Sequence, residues 1–309
     1  MPAYVVERSI EIDASPEKVF ATVSDFSTWT EWSPWLIAEP EAKVSVSQDP
    51  SSVGSTYAWE GEVTGAGGMT HQELTSPTKI VSEIRFLKPF KSVAEVGFDL
   101  ESAGAGTRIT WSMRGSMPRF LFWMIPSLKS FIGMDYARGL KMLKEWIETG
   151  TVQSNNDIIG PTSIGPVRMA GVRQTCEMQD IGSAMDRAIA DARQQLEAAG
   201  VCHDGQLMAV YHSFNVKQLT FDFTAGYIID ETASPPAAMS VWSTPQTRAF
   251  QVSHTGRYEH LGNPWAIAHQ HIRYQKLKQQ KVGTFEIYRN SPDEVPAAEL
   301  QTDIYLPLK

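Results

Sequence analysis

Residues 4–13, YVVERSIEID, alternate polar and apolar and predict a strand. Ser15-Pro16 follows as a helix start: Ser15 suits the N-cap and Pro16 the first helical position, with the helix reaching about Val23. Lys18 stands at the third position, where a capping box would carry Glu. A second short helical segment carries Phe26, Trp29, Trp32 and Trp35, and Pro34 limits it. Strand-like segments then run at about 42–48, 54–63, 68–75, 79–87, 91–101 and 106–115. Asp49-Pro50, Gly65 with Gly67-Gly68, Ser76-Pro77, Lys88-Pro89, and Gly104 with Gly106 mark the turns between them. Phe98 and Leu100 share one face; Ile109 and Trp111 share another. Past Pro118 the chain turns helical, and Tyr136, Leu140, Leu143 and Ile147 form an apolar stripe over about 128–149.

Residues 150–166, GTVQSNNDIIGPTSIGP, read as a linker, with the boundary near 152–157. Beyond it the pattern repeats with a spacing near 80 residues. Strand-like runs around Val172 and Val252 lead to Ile181-Gly182 and Leu261-Gly262. Helices follow: Ser183–Ala199, with Ala184, Met185, Ala188, Ala192 and Leu196 on one face, and about Asn263–Gln280, with Trp265, Ala268, Ile272 and Leu277. After Gly200 and Gly283 come strands holding Tyr211 and Tyr288, and LTFDFTAGYI and LQTDIYLPL close the two copies. The unit is strand–helix–strand–strand, about 163–230 and 245–309, joined by the proline-bearing stretch 231–246. In TFEIY, Phe285 and Ile287 point one way and Glu286 and Tyr288 the other. If the first pair packs on the helix, the second lines the opposite face, toward a groove between the copies. The matching positions in the first copy are about Ala209 and Tyr211, so the carboxylate occurs once between two related tyrosines.

Composition narrows the partners. The 309 residues are 42% hydrophobic and 20% charged, an ordinary globular balance that argues against disorder and suits two domains. Nine Trp, nine Tyr, thirteen Phe and twelve Met suffice for packed cores or for an apolar pocket. The net charge is −8, from 14 basic against 19 acidic side chains in residues 1–150 and 13 against 16 in 151–309, so neither half suits nucleic acid. Cys176 and Cys202 make no disulfide framework and no CxxC pair. The N-terminus alternates and carries charges, unlike a secretory signal. The most apolar stretch, Phe120–Met134, is too short to span a bilayer and contains Pro126 and Lys129; it reads as a lid or core helix, with a surface touch on a membrane as the alternative. The expected location is cytoplasmic, with no stable membrane insertion.

Two resemblances fit this pattern. The opening strand into IDASPEKVFATVSDFSTWTEWSPW, then VGSTY, then GAGTRITWSMRG before the last helix resemble the START-like, or SRPBCC, superfamily, in its polyketide-cyclase/dehydrase-like branch, over about residues 3–149. That implies a curved antiparallel sheet gripping a long helix, with a hydrophobic cavity between them. Candidate cavity residues are Trp32, Trp35, Tyr57, Trp59, Phe86, Phe98, Trp111 and Met134. The segment FQVSHTGRYEHLGNPWAIAHQHI, with GTFEIYRNSPDEVPAAELQTDIYLPL after it, resembles the GyrI-like small-molecule-binding family, the effector-binding domain of AraC-type and multidrug-sensing regulators, over about 158–309. In that family a glutamate on the F-E-I-Y strand, with aromatic neighbours, contacts cationic or amphipathic ligands. By position this implies Glu286, with Tyr288, Tyr258 and Trp265 around it; the repeat adds Tyr211. Some members hydrolyse strained electrophiles. A transcription-factor role is not expected, because no DNA-binding pattern precedes the module here.

The expected class is therefore α+β: residues 1–152 a helix-grip domain, residues 158–309 a duplicated βαββ effector-binding module. The function expected first is a binder of small lipophilic or cationic molecules, in sensing, sequestration or carriage. A hydrolase or cyclase-like enzyme is the alternative, and an interaction protein in a transcription or stress response the third. No cofactor fingerprint, P-loop or nucleophile elbow is present, and no catalytic constellation is assigned. His71 reads as a solvated or satisfied side chain, and Glu60 and Glu62 as exposed strand carboxylates sharing a face. His254 either bonds near the groove or is structural. His269 and His271 point to different helix faces and make no metal pair.

Overall fold

The computed structural model describes residues 2–309, and the chain divides into two compact units, Met1–Gln153 and Ser154–Lys309. It is an α+β protein.

In the N-terminal unit, strand β1 (Ala3–Ile12) leads into helix α1 (Pro16–Ser24), whose N-cap Ser15 accepts from the Lys18 amide at 3.4 Å. A 3₁₀ turn (Phe26–Thr28) and the single-turn α2 (Trp29–Trp32) follow. Strands β2 (Lys43–Val46), β3 (Thr56–Glu60), β4 (Ala66–Thr75), β5 (Lys79–Lys88), β6 (Ser92–Ala103) and β7 (Gly106–Ser116) then form a meander. The resulting antiparallel sheet has the order β1-β7-β6-β5-β4-β3-β2. Helix α3 (Ile125–Thr149) packs its Tyr136, Leu140, Leu143 and Ile147 stripe into the core and stops at Gly150, which takes φ +80° as a left-handed cap.

Three readings of this half change. Phe98 pairs with Trp111 and Leu100 with Ile109, and all four are buried in one core, so the two strand pairs share the inner face. β3 ends at Glu60, so Glu62 leaves the strand. Glu39 accepts the amides of Glu62, Val63 and Thr64 at 2.8–2.9 Å and fixes a turn there. Phe120–Met134 is not a core helix: Phe120, Phe122, Trp123, Met124 and Phe131 are exposed, in a 3₁₀ segment (Arg119–Met124) and the first turns of α3.

The C-terminal unit is one eight-stranded antiparallel sheet. Its strands are β8 (Ser154–Ile164), β9 (Val167–Glu177), β10 (His203–Asn215), β11 (Thr220–Ile229), β12 (Ser240–Thr244), β13 (Thr247–Gly256), β14 (Thr284–Tyr288) and β15 (Gln301–Pro307). Helix α4 (Ile181–Ala198) packs on β9 and β11, and α5 (Gly262–Tyr274) on β13, β15 and β8. The order β12-β9-β11-β10-β14-β15-β13-β8 is symmetric about the β10/β14 ladder. Each copy is β9-α4-β10-β11 or β13-α5-β14-β15, and each receives an outer strand from the other: β8 precedes β9 but pairs with β13, while β12 precedes β13 but pairs with β9. The stretches read as linker and connection thus contain the two edge strands. A strand bonded on one side only accepts polar residues and even Pro161, which is why its composition resembles a loop. Helix α5 ends before the expected Gln280. Lys276 takes φ +54° and the Leu277 amide bonds back to Ile272 O at 2.9 Å, closing the helix without a glycine to announce it.

Candidate functional site

The site is built on the central ladder of the second sheet. Register places Glu286 of β14 directly opposite Ala209 of β10, so Tyr288 and Tyr211 stand diagonally around the carboxylate on one face. That face is the helical one: Tyr288 packs with Ala184, Met185 and Ala188 of α4 and with Ala209 and Phe223. Phe285 and Ile287 turn away from the helices into an apolar cluster with Met169, Met208, Val210, Ala249 and Tyr305. The side assignment therefore differs from the sequence expectation. Alternation separates the two pairs correctly, but both faces of β14 are buried, and the charged pair is the one beneath the helices.

Glu286 is 1% exposed and accepts three hydrogen bonds. Trp265 Nε1 donates to Oε1 at 2.5 Å, Tyr288 OH to Oε2 at 2.6 Å and Tyr211 OH to Oε2 at 3.1 Å. Trp265 reaches it from the first turn of α5. Tyr211 meets Trp265 edge-on at 5.2 Å, and Tyr258 meets Tyr288 edge-on at 5.5 Å, so two aromatic pairs wall the carboxylate. Tyr288 is buried, whereas Tyr211, Tyr258 and Trp265 are half-buried. The Tyr258 hydroxyl is buried without a hydrogen-bond partner among the described residues. The structure thus brings together all five residues named from the sequence.

Burial raises the Glu286 carboxyl above its ordinary range, and the three donors offset this in part. Burial, and then the Glu286 charge, hold the Tyr211 and Tyr288 hydroxyls well above 10 and push Tyr258 up to about 12. At neutral pH the phenols are therefore donors and not bases. All three groups bonded to Glu286 are neutral, so hydrogen bonds satisfy the carboxylate while its charge stays unbalanced.

None of the three hydrogen bonds to Glu286 comes from a histidine, although His269 stacks on Trp265. His254 is 1% exposed, with Nδ1 on Asn156 Oδ1 at 2.9 Å and Nε2 on the Arg257 carbonyl at 3.3 Å. His71 bonds Ser82 and the Ser24 carbonyl and stacks on Phe26 at 3.9 Å, a packed core residue and not a solvated one. His269 stacks on Trp265 and His271 on Phe250. No group of three or more metal-ligating side chains occurs among the described residues.

In the N-terminal unit the named aromatics lie on the inner side of the sheet. Trp32, Trp35, Phe98 and Trp111 are in ring contact, with Trp111 at the centre, while Tyr57 and Trp59 continue the row to Phe86. Met134 is half-buried on α3. Two members of this group escaped the sequence reading as cavity candidates: Trp29, which joins Trp32, Tyr57 and Phe98, and Tyr136, which stacks on Trp111 at 4.0 Å. Tyr136 belongs to the helix stripe, and that stripe was its signal. Trp111 Nε1 and Tyr136 OH are both buried without a hydrogen-bond partner among the described residues.

Comparison with known proteins accords with both halves. Residues 4–148 match the family model described as polyketide cyclase / dehydrase and lipid transport, and residues 163–309 the GyrI-like small molecule binding domain. Among solved structures, the chain is similar to the Aha1 dimer from Colwellia psychrerythraea, with 19% identity, 48% of this chain and 98% of that chain covered, and a TM-score of 0.36. It is similar to EcmrR in a DNA complex, with 16% identity, 60% and 69% covered, and a TM-score of 0.42. It is also similar to DynU16 from the dynemicin biosynthetic locus, with 11% identity, 98% and 86% covered, and a TM-score of 0.36. No curated protein matches the chain.

Proposed function

We propose, for a chain that joins a polyketide cyclase/dehydrase and lipid transport domain to a GyrI-like small-molecule-binding domain, that the C-terminal unit binds small lipophilic cations at Glu286, for sensing, sequestration or carriage. The supporting observation is a carboxylate 1% exposed whose three partners are neutral donors. A cation entering past Tyr211, Tyr258 and Trp265 supplies the missing charge, and the rings supply cation–π faces. The same proposal gives the N-terminal unit a separate apolar ligand against the row of Trp32, Trp35, Tyr57, Trp59, Phe86, Phe98, Trp111 and Met134, reached at its half-buried members Trp35, Trp59, Phe86 and Met134. The protein acts in the cytoplasm on this reading, and its ligands are small molecules and not nucleic acid.

Titration calorimetry with benzyltrimethylammonium and its neutral isostere neopentylbenzene tests the assignment. Charge recognition in a partly dry site is worth on the order of 1–3 kcal/mol. Glu286→Gln should therefore weaken the cation by roughly one to two decades and leave the isostere nearly unchanged. Equal losses for both compounds would reduce Glu286 to a shaping role, and no loss for either would remove it from the site.

A second reading is hydrolysis of a reactive electrophile. It is favoured by one observation: a carboxyl raised by burial with two phenol donors at 2.6 and 3.1 Å. Glu286 would take a proton from the water whose oxygen bonds the epoxide carbon as the ring carbon–oxygen bond breaks, and a phenol turning its one proton from Glu286 to the alkoxide would be reprotonated by Glu286. Turnover of an epoxide, abolished in Glu286→Gln, would favour this reading; cation binding without turnover would favour the first.

A further inference from the structure

Most of the exposed apolar residues of the N-terminal unit gather at one end of its sheet. Phe120 (76% exposed), Phe122 (61%) and Trp123 (65%) lie in the 3₁₀ segment between β7 and α3, and Phe90 (82%) caps the β5–β6 turn. Both connections leave the same end of the first sheet, because Ala94 at the start of β6 pairs with Gly115 at the end of β7. Single exposed apolar side chains are ordinary, but a cluster of large aromatics at one end is not.

The two connecting segments are basic as well, although the β3–β4 turn at the same end carries Glu60 and Glu62. Residues 87–93 and 117–134 contain Lys88, Lys91, Arg119 and Lys129 and no Asp or Glu, in a chain whose net charge is −8. Lys91, Arg119 and Lys129 have no carboxylate partner among the described residues, and Lys88 pairs only with Glu60, both being 63% exposed. Such a solvent-exposed pair contributes little.

We propose that this end of the N-terminal unit docks on the surface of an anionic lipid bilayer. The aromatics enter the headgroup and upper acyl region while the four cations meet lipid phosphates. The segment lies on the surface and does not cross it, since no helix among the described residues is long and apolar enough to span a membrane. A second copy of the chain fits the patch less well, because a self-matching interface would set cations against cations. This inference is independent of the ligand assigned to Glu286.

Co-sedimentation of the full chain with vesicles tests it. The protein should pellet with phosphatidylcholine vesicles that contain phosphatidylglycerol, stay in solution with phosphatidylcholine alone, and be released near 1 M salt, where the screening length falls to about 3 Å. One lysine near such a surface contributes about 1 kcal/mol, or about fivefold in partitioning. The double variant Lys88→Glu/Lys91→Glu should therefore bind at least ~25-fold more weakly. Phe120→Ser/Trp123→Ser should also lose binding, with an unchanged thermal melt because both side chains are exposed. Failure to pellet with the anionic vesicles, or equal partitioning by both variants and the parent, would overturn the proposal. Vesicle-free self-association that Phe120→Ser/Trp123→Ser abolishes would instead give the patch to a second copy.

Discussion

Replacing Glu286 by Gln should leave the protein as stable as before or more so, and the difference should grow with pH. Two opposing effects meet at this side chain. Hydrogen bonds to a charged group are worth about 1.5–3 kcal/mol each and those between neutral groups about 0.5–1.5. Losing the charge at three such bonds therefore costs roughly 3–5 kcal/mol. Against this, burying an ion carries an effective penalty of several kcal/mol. Because the carboxyl is raised, desolvation wins. The folded state then holds the proton more tightly than the unfolded chain does. Its stability is greatest with the proton on and declines as pH climbs from the ordinary value of 4.5 through the raised one. Gln cannot titrate, so the variant escapes that decline. Its amide group can donate back to a Tyr211 or Tyr288 oxygen, keeping the cluster paired. Thermal melts of both proteins at pH 5 and pH 8 check this, since their difference cancels groups common to both. A C-terminal unit of this size moves by about 2–4 °C per kcal/mol. A variant less stable than the parent at pH 8, or an advantage that shrinks from pH 5 to pH 8, would refute the reasoning. The carboxylate would then be fully compensated, and its pull on a cation would disappear with its cost.

Fragments 1–153 and 154–309 should each unfold cooperatively. A fragment beginning at residue 158 should melt lower, because it loses the Asn156 partner of buried His254 and the Ser154 oxygen that accepts from Asn263 at 2.9 Å, each lost hydrogen bond costing about 1–3 kcal/mol. His254 is held down to about 4, first by burial, so the folded state resists protonation. Stability should fall as pH drops from 6.5 toward 4, by up to about 3 kcal/mol, and melts of His254→Gln should show a shallower acid limb. Gly139→Val should destabilise the N-terminal unit by about 1–3 kcal/mol, because even a Cβ there lies 2.7 Å from Trp111 Cζ3; an unchanged melt would mean that the aromatic row has room to yield.

What the sequence made legible was local. Period-two alternation found the central strands within a few residues, and it put Glu286 and Tyr288 on one face because strand geometry leaves no alternative. It could not say which face the helices cover. In a half-exposed strand polarity decides that question, but β14 is buried on both sides, and its carboxylate is satisfied by an indole from a different element. The edge strands escaped for the same kind of reason. β8 and β12 owe their existence to pairing with β13 and β9, far from them in sequence, so nothing in SNNDIIGPTSI or SVWST had to look like a strand. That exchange also bears on the site. Each copy carries an outer strand from the other, so the two copies share one sheet, and the central β10/β14 ladder sets Ala209 across from Glu286. A second acid there would put two carboxylates face to face in a dry site, raising one or both until a proton is retained. The duplicated architecture thus tolerates charge in one copy only, and the small Ala209 opposite leaves Glu286 to act alone.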